Sequence, residues 1–143
     1  MAIWVVTPSL AAINAFSTGT LAEHLGIEIT AIGDDFLTAK MPVDQRTMQP
    51  HGLLHGGASV ALAETLGSIA ATLCVNRAEK MCVGLEINAN HVRAARAGYV
   101  FGTVRPIHIG GSTQIWQTQI YDEKERLICI SRFTAAVLER KER

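Results

Sequence analysis

From Gly56 to Cys74 the chain runs without a lysine or arginine and with a single carboxylate, Glu64. The stretch is rich in Ala and Leu and holds no proline, so it is predicted to be helical from about 56 to 75. A helix that is apolar on nearly every face has to be covered by the rest of the chain. The fold must therefore wrap something around it. Its many Ala, Gly, Ser and Thr residues, together with Glu64, mark a core helix rather than a membrane span.

The flanking sequence supplies strands for the wrapping. Thr7-Pro8 reads as an N-cap followed by proline at the first helical position, opening a short helix through Phe16. A second helical turn is expected over 18–24. Ile27, Ile29 and Ala31 alternate with polar neighbours as a strand does, Gly33-Asp34-Asp35 is a turn, and 36–41 is a second strand. Residues 42–54 hold two prolines and little periodicity, and read as a loop. Beyond Arg77, Val83, Leu85, Ile87 and Ala89 alternate with Gly84, Glu86, Asn88 and Asn90. Further strands are expected at 99–104, 115–121 and 127–138, with Asp122–Glu125 as a charged hairpin tip. Two strands, one buried helix and about four strands joined by short turns favour an antiparallel meander curved around the helix. That is an α+β fold, an antiparallel sheet wrapped around one long central helix, in a single domain spanning residues 1–143.

Composition narrows the function classes. The chain is 48% hydrophobic, and its 13 basic residues balance its 13 acidic ones. No basic excess points to nucleic acid. Cys74, Cys82 and Cys129 are odd in number and have apolar neighbours, so they read as reduced core residues of a cytoplasmic protein. The first residues lack the positive segment and long apolar run of a signal peptide. No membrane partner is expected.

The helix carries the chemistry. His55, Gly56 and Gly57 stand where it begins, and a helix start offers free N–H donors and a positive dipole end. An acid inside an apolar helix is costly unless paired or used. Together these features point to reaction at a carbonyl. Gly56 and Glu64 are eight residues apart, about 12 Å along the axis at roughly 1.5 Å per residue. A reacting carbonyl needs its oxyanion donor and its attacking group both within about 3–3.5 Å. One helix cannot serve both, but two antiparallel copies across a two-fold axis can. A homodimer with two shared sites is expected. Ser68, one turn after Glu64 on the same face, would hold the carboxylate or a water. The plainer alternatives are a Glu64 satisfied by backbone N–H groups or a buried partner, a capping His55, a Ser68 that only packs, and a Gln49 that is only a loop residue. His51, His55 and Glu64 are also candidate metal ligands. Gly52 argues against a helix through His51, and no Glu stands between the histidines, so no metal is expected.

A second signal is electrostatic. From Ile87 to Tyr121 there is no Asp or Glu, while Arg93, Arg96, Arg105, His91 and His108 all fall there. Gly110-Gly111-Ser112 adds a loop able to turn backbone N–H groups toward phosphate. An anionic ligand is expected, unless these arginines pair with acids elsewhere in the chain.

The motifs Gln49-Pro50-His51-Gly52-Leu53-Leu54-His55-Gly56-Gly57-Ala58-Ser59 and Ala63-Glu64-Thr65-Leu66-Gly67-Ser68 resemble those of the hotdog-fold acyl-CoA thioesterases. The likeness is nearest the branch acting on aryl thioesters in menaquinone and enterobactin synthesis. Gly84–His91 and Pro106–Gly110 extend it, and it runs from Trp4 to about Leu138. The resemblance implies a hotdog fold and hydrolysis of an acyl-CoA to acid and CoA. Glu64 would act as nucleophile or general base, and the Gly56 N–H would polarise the thioester carbonyl. His55 and Gln49 would orient thioester and water, and Ser68 would support Glu64. CoA contacts are implied at Gly84, at His91, Val92, Arg93 and Ala94, and at His108, Ile109, Gly110, Gly111, Ser112 and Thr113. No cofactor is implied, since CoA is part of the substrate, and members pair as homodimers or homotetramers. The chain departs from these relatives at His51, where they usually have Phe, at Ser112-Thr113, where some carry a basic residue, and at Glu125, often Gly.

Other readings share this pattern: a non-enzymatic acyl-CoA binding module, a proofreading thioesterase acting on carrier-protein-bound aryl groups, and a hotdog dehydratase or hydratase. The last needs an Asp/His pair on different faces of an enoyl group, and the sequence offers no convincing pair.

Overall fold

The computed structural model describes residues 1–142. Two short helices, α1 (Leu10–Ala15) and α2 (Leu21–His24), precede strands β1 (Glu28–Ile32) and β2 (Leu37–Pro42). The long helix α3 (Gly56–Leu73) follows, then β3 (Lys80–His91), β4 (Tyr99–Ile109), β5 (Thr113–Tyr121) and β6 (Leu127–Glu139). The strands form one six-stranded antiparallel sheet in the order β1-β2-β4-β5-β6-β3. The sheet packs against α3, giving the hotdog fold. Among the described residues no helix is long and apolar enough to cross a membrane.

Only part of the sheet is the expected meander. β4, β5 and β6 follow one another, but β3 lies beyond β6 at the far edge. Helix α3 carries the chain from β2, on one side of the sheet, to that edge. The last strands then fill the space between, and the outer edge of β3 is left without a partner strand among the described residues.

Helix α3 is covered on one stripe rather than on several sides. Leu62, Leu66, Ala70 and Ala71 have no exposed surface, and Ala58, Ser59, Ala63, Gly67 and Leu73 complete the buried face. Burying each of the two leucines contributes about 1.5–3 kcal/mol. Ala61, Glu64, Thr65, Ser68 and Thr72 lie on the opposite side and are only half-buried. Glu64 is thus half-buried and lies outside the fully buried face.

Three local readings also change. The cap of α1 is Ser9, whose side chain accepts from the Ala12 N–H, so the helix opens two residues later than the Thr7-Pro8 signal places it. In β3 a bulge between Gly84 and Glu86 leaves Leu85 without a partner, and it stands 63% exposed despite its place in the alternation. β4 continues through Pro106 to Ile109. Its pairing with β2 ends at Val104, so Pro106 lies outside that ladder and its missing N–H is tolerated there.

The amino-terminal segment is strapped across the sheet. The indole N–H of Trp4 donates to the Gly33 carbonyl at 2.8 Å, and its ring stacks on the fully buried Trp116 with centroids 6.4 Å apart.

Candidate active site

The start of α3 is built around its cap. His55 has extended backbone, and its Nδ1 accepts from the Gly57 N–H at 2.8 Å. A side chain that caps one of the helix's first N–H groups fixes the entry of the chain and leaves the others free. His55 is therefore a cap, and it stands directly beside the Gly56 amide. The Gly56 backbone lies so close to the His91 ring of β3 that a Cβ there would meet Nε2 at 2.9 Å.

Gln49 joins this group. Its Oε1 accepts from the His51 N–H, and its own N–H and carbonyl close the loop onto Leu53 and Gly52. Gln49, Gly56, Ser59, His91, Arg93 and Ala94 line one open cleft of about 400 Å³. Ser59, buried one turn into α3, closes the first family motif, although its residue type alone points to no role. Arg93 continues into a neighbouring cleft that also holds Arg96, Lys124 and Arg126. Among the described residues Arg93 and Arg96 pair with no carboxylate. Arg105, by contrast, bonds Asp35 at 2.8 Å and covers the Phe36 ring, so its charge is spent on structure. The Asp122 carboxylate at that second cleft accepts from Arg126 and Lys124, which holds it below the usual carboxylate range.

Glu64 sits two turns further along α3. Among the described residues neither an ion pair nor a hydrogen bond engages its carboxylate. It packs on the backbone of Gly84 in β3, where a Cβ would stand 2.7 Å from Oε1, with the Phe133 ring behind at 3.1 Å. Gly84 thus belongs beside the acid. Ser68, one turn on, lines a separate cavity of about 240 Å³ between α1 and α3, shared with Ile13, Phe16, Ile69, Thr72 and Arg77.

One chain does not gather the remaining residues. The turn carrying His108 to Thr113 is tied to the end of β3 nearest Lys80: Thr113 pairs with Ala136, which also pairs with Val83. His91 pairs with Cys129 at the other end. The two segments are separated by eight residues of β3, about 26 Å at roughly 3.3 Å per residue. His108 and Ile109 end β4, and Gly110 closes the turn by donating to the Thr113 carbonyl. Ser112 accepts from the Val137 N–H, and Gly111 is exposed. Val92 is exposed at the mouth of the first cleft. Among the described residues no three His, Cys, Asp or Glu side chains gather as a metal-holding group.

The profile of the thioesterase superfamily matches residues 51–129, which takes in the helix start, Glu64 and His91. This chain belongs to that superfamily and is a thioesterase. It is 55% identical over 136 residues to the 1,4-dihydroxy-2-naphthoyl-CoA hydrolase of Escherichia coli, covering 95% of this chain and 99% of that one. It is also 55% identical to the proofreading thioesterase EntH of Cronobacter turicensis, covering 95% and 98%. The crystal structure of a mutant thioesterase from Pseudomonas aeruginosa superposes with a TM-score of 0.96 at 47% identity, over 97% of this chain and 100% of that one.

Proposed function

We propose that the protein hydrolyses an aryl-CoA thioester, such as 1,4-dihydroxy-2-naphthoyl-CoA, at two sites shared across a homodimer. One observation carries the reading. Two in-chain pairs, Glu64 with Gly84 and Gly56 with His91, both rest on β3, the strand whose outer edge is open. Gly84 and His91 are seven residues apart on that strand. If two β3 edges pair antiparallel about a point between Ile87 and Asn88, Gly84 of each chain falls opposite the partner's His91. Glu64 then faces the partner's Gly56, and the roughly 12 Å between the two groups in one helix ceases to matter. The same pairing carries the His108–Thr113 turn of one chain toward the partner's His91–Ala94 segment. That joins the unpaired Arg93 to the glycine turn in one CoA-binding surface.

At such a site the Gly56 N–H, backed by the dipole of α3, polarises the thioester carbonyl. Glu64, with no partner in its own chain, attacks the carbonyl or draws a proton from the attacking water. Gln49 and His55 flank the carbonyl, and Ser68 supports the Glu64 side. The thiolate of CoA leaves readily, so one carboxylate and one oxyanion donor suffice, and no cofactor is enlisted. Three free thiols and a CoA substrate fit a cytoplasmic setting.

Complementation between two inactive variants tests the shared site. Gly56→Pro removes the amide at the first helical position, where the helix backbone accepts proline; its ring displaces only the His91 side chain of the same chain, which serves the same defective site. His55 already has the backbone (φ −68, ψ 130) that a following proline demands. Refolded together with Glu64→Ala chains, half the dimers would be mixed and each would hold one intact site, restoring about a quarter of wild-type turnover. No recovery, with mixed dimers present by mass, rejects the sharing.

A further inference from the structure

Apart from Ser68, the residues lining the cavity between α1 and α3 take no part in the steps above. It opens at Ser68, about 6 Å along the helix from Glu64, and extends about another 6 Å to Thr72. Ile13 and Phe16 line it from the α1 side, and Ile69 and Leu73 from α3. The Thr72 hydroxyl is spent on the Ser68 carbonyl at 2.8 Å, so the wall it presents is apolar. A cavity of about 150 Å³ already holds a benzene-sized ring. The 240 Å³ here leaves room for a substituent or a second fused ring.

One group breaks the apolar lining. Arg77, just past the end of α3, lies with its guanidinium 4.6 Å from the Phe16 ring centroid. Among the described residues it pairs with no carboxylate and makes no hydrogen bond. Phe16 therefore holds an unspent, planar, five-donor cation at the exposed rim of an apolar slot. Such a slot accepts a flat apolar body whose remote edge carries an acceptor.

The geometry points to this cavity as the seat of the acyl group, with Arg77 as the residue that selects an aryl acyl bearing a hydroxyl, phenolate or carboxylate on the edge remote from the thioester. The assignment rests on the hydrolase reading of Glu64. The carbonyl sits at Glu64, the ring lies along Ser68, Ile69 and Thr72, and Arg77 donates to the remote substituent across the face of Phe16.

The test is a ratio: kcat/KM for carboxy- or hydroxy-substituted benzoyl- and naphthoyl-CoA over the unsubstituted parents, in wild type, Arg77→Met and Arg77→Lys. Wild type is expected to prefer the substituted member by about tenfold, the worth of a charge-assisted hydrogen bond. Arg77→Met brings the ratio near unity, and Arg77→Lys recovers part of it. Loss of packing alone would lower both substrates together and leave the ratio standing. An unchanged ratio in Arg77→Met, or a wild type that prefers the unsubstituted rings or a linear acyl chain, overturns the role given to Arg77 while hydrolysis stands. Failure of wild type to turn over any aryl-CoA overturns the hydrolase reading, and the pocket assignment with it.

Discussion

The carboxylate of Glu64 rests on the backbone of Gly84, so closely that a single added methyl group would stand 2.7 Å from Oε1. The acid is thus aimed by an absence of side chain on the neighbouring strand. Gly84→Ala must push either the carboxylate or the Phe133 ring aside. The flexible acid yields more cheaply, so the fold is expected to survive. A displacement near 1 Å at a reacting group costs on the order of 10²-fold in turnover. Steady-state kinetics should show that loss beside an unchanged circular dichroism spectrum. Turnover equal to wild type would show that the position of Oε1 is not critical.

Removing the carboxylate is the more severe change. Glu64→Ala is expected to lower kcat by about 10³-fold or more, within the range of a lost base or nucleophile. Because no other described group leans on this carboxylate, thermal stability should hold or rise slightly. Activity within a few-fold of wild type would reject Glu64 as the reacting group.

His55 does two things, and one of them is measurable without substrate. Its Nδ1 caps the Gly57 N–H. His55→Ala should destabilise the protein by about 1 kcal/mol, the usual worth of a cap. For a chain of this size that lowers Tm by roughly 3–5 °C. A capping Asn should restore most of the Tm and little of the turnover.

Much of this site is legible in the sequence, for a physical reason. One acid in a long apolar helix, preceded by His-Gly-Gly, is a local pattern, and local patterns survive folding. What was not legible depends on distant chain. The bulge that turns Leu85 outward is set by its register with β6, fifty residues on. The place of β3 at the sheet edge follows from the order in which strands meet, which no periodicity encodes. The separation of the His91 and His108 segments follows from that order too. Arg93 and Arg105 look alike in sequence, and only the structure distinguishes the free cation from the one bound to Asp35. The Ser9 cap was legible in principle, but the Thr7-Pro8 signal two residues earlier masked it.

Glu125 carries the one positive φ among the described non-glycine residues, 60°, at the tip between β5 and β6. A left-handed backbone costs an L-residue about 1–2 kcal/mol, part of which glycine repays through its looser unfolded chain. Glu125→Gly is expected to stabilise the protein by about 0.5–1 kcal/mol, read as a higher denaturation midpoint with turnover unchanged. A lower midpoint would mean that the Glu125 side chain makes a contribution larger than the strain.

Burial, with Cys82 nearby, pushes the Cys74 thiol up to about 11. A raised thiol value means the folded state holds its proton where the unfolded chain has released it. The stability this contributes is complete below the ordinary thiol value of 9.0 and is lost as pH climbs toward about 11. At pH 8 a thiol reagent should therefore modify Cys74 far more slowly in the native protein than in urea. Equal rates would place the thiol in open solvent.

The stacking of Trp4 on Trp116 joins the chain's only two indoles into one optical centre. Intrinsic fluorescence from this protein consequently watches a single seam, where the amino-terminal strap meets the middle of the sheet. A mixture in which the strap has peeled away while the strands stay paired would look unfolded to a fluorimeter and native to circular dichroism.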